Sequence, residues 1–330
     1  MGATSSNKVK MTIQKKKSRL YKSMKKILLI FLALLLSGSV WYLFIKKYDY
    51  QFTMEAKYGP GSVYNEISEW KRLNPDISKD NIAVSQGEPF KNLTQKVYSF
   101  DDEAVEFYWE FEKRNDSLTD VVLNVRSENN SLGNRLDIMN PFVESNYIDS
   151  LKQHLLAYRL RLQNYQTAYR IQITDSIVNS PALDCICHTS KNIPVKGKAV
   201  EMVKTIDILE DYLLNRDLKL TGSPFVQVIK WNRDENIIDF DFCFPVNLPR
   251  DSRPNGEVKF REIPSSKSLK AVFNGNYRLS HKAWFDLLYT AEEMELKTDG
   301  LPLEVFFNNP NVESTSSTTW KAEIYLPIGE

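Results

Sequence analysis

Apolar residues follow three spacings along the chain. In 27–45 they are continuous, reading ILLIFLALLLSGSVWYLFI without a charge between Lys25-Lys26 and Lys46-Lys47. As a helix this run is roughly 28 Å long at about 1.5 Å per residue, close to a hydrocarbon core of about 30 Å. Trp41 and Tyr42 sit near one end, where interfacial aromatics belong. From Tyr50 the pattern alternates. Strands are predicted over 50–55, 93–100, 105–111, 121–125 and 132–139, with Val105, Phe107, Trp109 and Phe111 opposed by Glu106, Tyr108 and Glu110. Gly59-Pro60-Gly61-Ser62 opens a short helix over 63–70. After Pro141 the period lengthens again. Tyr147, Ile148, Leu151, Leu155, Tyr158 and Leu162 recur at threes and fours and predict a long helix over 143–165.

The remaining half repeats one order of elements. A strand from Tyr169 and another over 183–188 precede a helix over 200–214 and strands over 225–231 and 237–246. A strand over 269–273, a helix over 279–294 and strands over 303–307 and 320–328 follow. Gly222-Ser223-Pro224 aligns with Gly300-Leu301-Pro302, Phe244-Pro245-Val246 with Leu326-Pro327-Ile328, and Asp241 with Glu323. The period of roughly eighty residues is too long for a solenoid and suggests one pseudo-symmetric domain. The expected fold class is α+β: an N-terminal transmembrane helix, a helix-grip-like domain and a duplicated strand-helix-strand-strand domain. The expected boundaries are 1–26, a basic cytoplasmic segment; 27–45, the span; 48–166; and 168–330.

Composition is that of a folded protein, 42% hydrophobic and 26% charged, with a net charge of +1 that gives no global pull toward nucleic acid. The charge is uneven. Residues 1–47 hold no Asp or Glu while Lys and Arg recur from Lys8 to Lys26, so the positive-inside bias places the N-terminus in the cytoplasm and 48–330 outside. Ser37-Gly38-Ser39 offers small residues for signal cleavage, but the apolar run continues past it, which suits an uncleaved anchor. Met24, just before the run, is an alternative start.

Other chemistry is sparse. The three histidines, His154, His188 and His281, form no metal-spaced or triad-like pattern, and there is no Gly-rich phosphate loop and no helix-turn-helix. Cys185-Ile186-Cys187-His188 looks metal-like, but in a strand 185 and 187 face one side and 188 the other, so no metal site or cofactor is expected. Cys185 and Cys243 lie in predicted strands and could pair. Asn92, Asn115 and Asn129 begin sequons that matter only in a eukaryotic secretory host.

Two resemblances follow from these elements. The order over 50–165, with Val63-Tyr64-Asn65-Glu66-Ile67 and Trp70 after an opening strand, resembles the START-like, polyketide-cyclase-like (SRPBCC) helix-grip fold. That resemblance implies a curved sheet closed over a long helix around an apolar cavity. Residues 168–328 resemble the GyrI-like domain, also called the AraC-type effector-binding domain. The motifs are Gly275-Asn276-Tyr277, Trp284, Glu304, Asn309-Pro310 and Lys321-Ala322-Glu323-Ile324-Tyr325-Leu326-Pro327. The threonine expected at the start of the last motif is replaced by Lys321 or Ala322. The resemblance implies a small-molecule pocket between the repeats, lined by aromatics, with the glutamate at its floor. Members act as drug or metabolite sensors, gyrase-binding modules or hydrolases of strained cyclopropanes.

The residues support a compatible reading. Glu304 stands in the apolar strand Leu303-Glu304-Val305-Phe306, and a buried carboxylate is costly without a partner. Strand alternation puts Phe306 on its face. Glu304, Tyr277, Trp284 and Phe306 are the expected ligand-binding residues, suited to a small, flat or cationic organic ligand. No nucleic-acid partner is expected, and the membrane is met through 27–45. The competing class is a hydrolase with Glu304 as general base. A third is a protein-interaction module, which would show as a filled pocket with Glu304 paired to a basic side chain.

Overall fold

A computed structural model describes residues 21, 24–70, 82–100, 103–140, 142, 149, 151–153, 155–156, 158–160, 168–247, 254, 256–309 and 316–329. It is a mixed α/β protein with two antiparallel sheets. Helix α1, Met24–Ile45, is the one described helix long and apolar enough to cross a membrane, and none of its apolar stretch is buried. Its last turn, Trp41–Ile45, is a π-helix.

The first sheet contains β1 (Tyr50–Ala56), β2 (Ile82–Gln86), β3 (Asn92–Phe100), β4 (Glu103–Asn115) and β5 (Leu118–Ser127), in the order β1-β5-β4-β3-β2. The alternation in β4 buries Val105, Phe107 and Trp109 completely. The Trp109 indole donates to Gln95 Oε1 at 2.8 Å, and Gln95 Nε2 donates to the Ile67 carbonyl at 2.8 Å. That chain seats helix α2 (Pro60–Ser68) on the sheet. Helix α2 begins three residues earlier than its apolar spacing predicts, because Pro60 suits a first helical turn. Leu151, Leu155 and Tyr158 are buried at helical spacing, with Tyr158 stacked 4.2 Å from Trp70. Tyr147, Ile148 and Leu162 lie outside the described residues.

One element differs in kind from its reading. The stretch 132–139, expected as a strand, is helix α3 (Ser131–Met139). Leu132, Leu136 and Met139 recur at four and three, and Ser131 and Arg135, one turn apart, both bond the buried carboxylate of Asp49. Strand alternation would send those two side chains to the same face but too far apart for one carboxylate.

The second sheet has nine strands: β6 (Tyr169–Ile173), β7 (Val178–Asn179), β8 (Leu183–Pro194), β9 (Phe225–Asn232), β10 (Ile237–Pro245), β11 (Val258–Ile263), β12 (Lys267–Gly275), β13 (Leu303–Phe306) and β14 (Lys321–Pro327). Their order is β11-β8-β10-β9-β13-β14-β12-β6, with β7 on β12. Helices α4 (Lys198–Leu214) and α5 (Lys282–Glu293) pack on it. Strand β11 has no counterpart in the sequence reading. Lys259, Arg261 and Glu262 make it polar, as suits a sheet edge. Cys187 and Cys243 stand opposite each other in register and form a disulfide, so Cys185 is the free thiol rather than the partner of Cys243. Burial pushes the Cys185 thiol up to about 12, which makes it a poor nucleophile.

The apolar core runs without a break from the first sheet to the second, and Tyr58 stacks on Tyr169 at 4.9 Å. At this junction α2 lies on α5. The Ser62 amide donates to Asp286 Oδ1 at 2.7 Å, and its hydroxyl donates to Oδ2 at 2.9 Å. Lys282 pairs with Glu66 and donates to Asn65 Oδ1 at 2.8 Å. Burial pushes the Asp286 carboxyl up to about 7, against the Ser62 hydrogen bonds and Lys282, which pull it down. In the unfolded chain it titrates near about 3.9. Its stabilising contribution is therefore full below about 3.9 and lost as pH rises through about 7. Relative to Asp286→Asn, the native protein is expected to lose up to about 1.4 kcal/mol per pH unit across that window. Urea midpoints of both proteins at pH 4.5 and 7.5 check this, and parallel shifts would contradict it.

Candidate functional site

The site is built where α4, β10, β13 and the turn before α5 converge. Gly275 ends β12 at φ 152°, and a Cβ there would stand 2.5 Å from that of Tyr169. The glycine thus lets β6 pair closely while the chain turns. Asn276 then caps the turn, its side chain accepting from the Arg278 amide at 3.0 Å. Tyr277 follows, with its hydroxyl donating to the Lys321 carbonyl at 2.8 Å and accepting from the Asn308 amide at 3.0 Å. Those bonds satisfy its polar end and leave the ring to pack 4.8 Å from Phe306 and 5.5 Å from Trp320.

These rings line a groove of about 980 Å³. Its opposite wall is α4, through Met202, Val203, Ile206 and Leu213, and Phe242 and Phe244 of β10 also line it. Val203 is 57% exposed although it lies on an apolar wall. The volume matches that of small-molecule sites, which are concave and mostly apolar with a few polar groups.

The structure brings the four expected ligand residues together but divides them into two layers. Tyr277 and Phe306 line the groove, whereas Trp284 and Glu304 are not among its lining residues. Glu304 is fully buried behind them. Its Oε1 accepts from the Trp284 indole, and its Oε2 accepts from Lys198 and, at 3.2 Å, from the Ser280 hydroxyl. Lys198 Nζ also donates to Ser280 Oγ at 2.9 Å and stands 4.8 Å from the centroid of Trp284 and 5.7 Å from that of Phe306. Burial pulls the Lys198 ammonium below the usual lysine range, while Glu304 opposes that pull. A cation from the same chain, Lys198, thus already pairs with the carboxylate read from sequence as a ligand contact.

Lys198 was missed from sequence, yet a signal was there. Lys198, Met202, Thr205, Leu209 and Tyr212 recur at fours and threes and are all buried, so the lysine occupies the first position of the core-facing stripe of α4. A lysine at such a position calls for a partner. His281, beside this layer, is also buried. Burial, then Lys282, Lys198 and Lys196, hold it well below its usual range, so it is neutral at physiological pH. The sulfurs of Cys185, Cys187 and Cys243 lie within 4.8 Å of one another, but the disulfide takes two of them. Asn309 lines the groove; its motif partner Pro310 lies outside the described residues.

Residues 177–329 match the family model of the GyrI-like small molecule binding domain. Among solved structures the chain is similar to the EcmrR C-terminal domain, at 18% identity over 49% of this chain and 98% of that one, with a TM-score of 0.41. It is also similar to SAV2435 bound to tetraphenylphosphonium, at 12% identity over 49% and 93% with a TM-score of 0.33. A hydrolase from Listeria innocua is similar at 11% identity over 52% and 98%, with a TM-score of 0.29. No curated protein matches the chain.

Proposed function

We propose that this is a membrane-anchored binding protein whose groove takes a small, uncharged, aromatic or apolar molecule. The observation that carries the reading is the aromatic groove backed by a carboxylate that Lys198 already neutralises. Behind Tyr277 and Phe306 a cationic ligand would find the Glu304 carboxylate already paired, and of the charged side chains that line the groove two, Lys204 and Arg278, are basic and one, Glu210 on the α4 wall, is acidic. In this reading Tyr277 and Phe306 contact the ligand, while Trp284 and Glu304 hold Lys198 and the groove floor in place. Native mass spectrometry of the chain extracted from membranes tests it. An uncharged adduct of a few hundred daltons, on the order of a groove-sized ligand, is expected on the native protein and lost in Val203→Glu. An adduct bearing a fixed positive charge, or one that Val203→Glu retains, contradicts it.

The hydrolase reading is less well supported. A general base must reach its proton within hydrogen-bond distance or through one water, and both oxygens of Glu304 are taken by Lys198, Ser280 and Trp284.

The architecture belongs to the same proposal. The two strand-helix-strand-strand halves are read as a duplication with the groove between them. The divisions at 48–166 and 168–330 are read as two sheet units, joined through α2 and α5. Helix α1 is read as an uncleaved single-pass anchor with 48–330 extracytoplasmic, supported by the acid-free basic flank. Alkaline phosphatase fused after Glu330 is expected to be active. An active cytoplasmic reporter at that point, with a silent phosphatase, reverses the topology.

A further inference from the structure

Helix α3 is amphipathic in an inverted sense. Its polar residues Asn134 and Arg135 are buried, while Leu132, Leu136 and Met139 are 46%, 49% and 46% exposed, and Phe142 just beyond is 94% exposed. At about 100° per residue the three aliphatic side chains fall within roughly 60° of arc, so they form one stripe. Nothing described in the chain covers that stripe. Single exposed apolar residues are ordinary, but a stripe on one short helix marks an interaction surface.

The buried side of α3 shows where the stripe stands. Arg135 Nε donates to Asp49 Oδ1 at 2.6 Å, and its Nη1 donates to the carbonyls of Tyr42 and Leu43 at 3.0 Å each. Those carbonyls belong to the last turn of α1. The guanidinium thus occupies the negative end of the α1 helix dipole, the place a cation favours. Asp49 is fixed in turn by the Ser127 amide at 2.9 Å and by the Ser131 hydroxyl. Asp49 and Arg135 are a buried pair that binds α3 to the exit of the span.

We propose that α3 is a second membrane contact, a short helix lying in the interface plane with Leu132, Leu136, Met139 and Phe142 among the acyl chains. This rests on the reading of α1 as a membrane anchor. Nine residues are too few to cross a bilayer, but a helix with one apolar stripe suits the headgroup boundary. Lys46 and Lys47 follow the span directly and supply cations at that level. The Lys47 ammonium stands 5.0 Å from the Tyr48 ring and 5.5 Å from that of Tyr108 in the central strand β4, so the neighbouring face of the first sheet also presents aromatic and basic groups. The anchored domain would then be held against the bilayer in a fixed orientation rather than tethered at a distance.

Doxyl-lipid quenching of the full chain in phosphatidylcholine–phosphatidylglycerol vesicles tests this. Bimane is attached to Leu34→Cys, Leu136→Cys or Asp137→Cys in separate proteins. The Leu34 probe should be quenched by deep doxyl groups. The Leu136 probe should be quenched by shallow ones, several-fold more than the Asp137 probe on the polar side of the same helix. Quenching at Leu34 with none at Leu136 overturns the α3 contact and leaves the anchor standing. A Leu136 probe shielded from water but indifferent to doxyl lipids also overturns it, in favour of a second copy covering the stripe. No quenching at Leu34 removes the anchor and the proposal together.

Discussion

Lys198→Met is expected to destabilise the protein by about 3–5 kcal/mol, the cost of leaving one member of a buried ion pair alone. Lys198 and Glu304 are both essentially inaccessible, so solvent cannot replace the missing partner. The reciprocal change should cost less. Burial already pulls the Lys198 ammonium toward its neutral form, so in Glu304→Gln the lysine can lose its proton and keep its Ser280 hydrogen bond. The double variant Lys198→Met/Glu304→Gln should recover most of the loss, because no charge remains buried. Urea unfolding of the four proteins gives the coupling directly. Additive losses would show that the pair does not act as one unit.

Gly61→Ala is the second large effect, expected near 3 kcal/mol, the upper range of overpacking. A Cβ on Gly61 would stand 2.1 Å from the Phe285 carbonyl oxygen and 2.7 Å from the Asp286 nitrogen. Both atoms are backbone of α5 and have no rotamer to yield. The helices would have to separate, which also pulls Ser62 from Asp286. Gly38→Ala, inside helix α1 with nothing within 4 Å, is the uncrowded control and should not lower stability, since alanine favours a helix over glycine. Equal melting of the two variants would mean that the α2–α5 contact carries little of the fold.

Local pattern made much of this legible. Continuous apolarity marked α1, period two marked β4, and the Gly-Pro punctuation marked the start of α2. The motifs Gly275-Asn276-Tyr277 and Glu304 identified the GyrI-like domain, and strand alternation placed Phe306 beside Glu304. What pattern did not show were contacts between distant positions. Lys198 and Glu304 are 106 residues apart, and no local rule links them, although a lysine on the core stripe of α4 announces the need for an acid somewhere. Asp286 and Ser62 are 224 apart. Helix α3 is ambiguous in sequence because Leu132, Leu136 and Ile138 fit a period of two while Leu132, Leu136 and Met139 fit a helical face, and the shared partner Asp49 of Ser131 and Arg135 favours the helix.

Charge selectivity of the groove tests the account most directly. Triphenylphosphine oxide and tetraphenylphosphonium are both propeller-shaped aryl molecules, but only the second is a cation. Calorimetric titration of the full chain, with Val203→Glu as the control for uptake by detergent, should show the neutral oxide binding the native protein and not the variant. The phosphonium should bind at least about tenfold more weakly, a difference of about 1.4 kcal/mol. Tighter binding of the phosphonium by the native protein would contradict the account, since it would mean that Lys198 does not occupy the carboxylate a cation would seek.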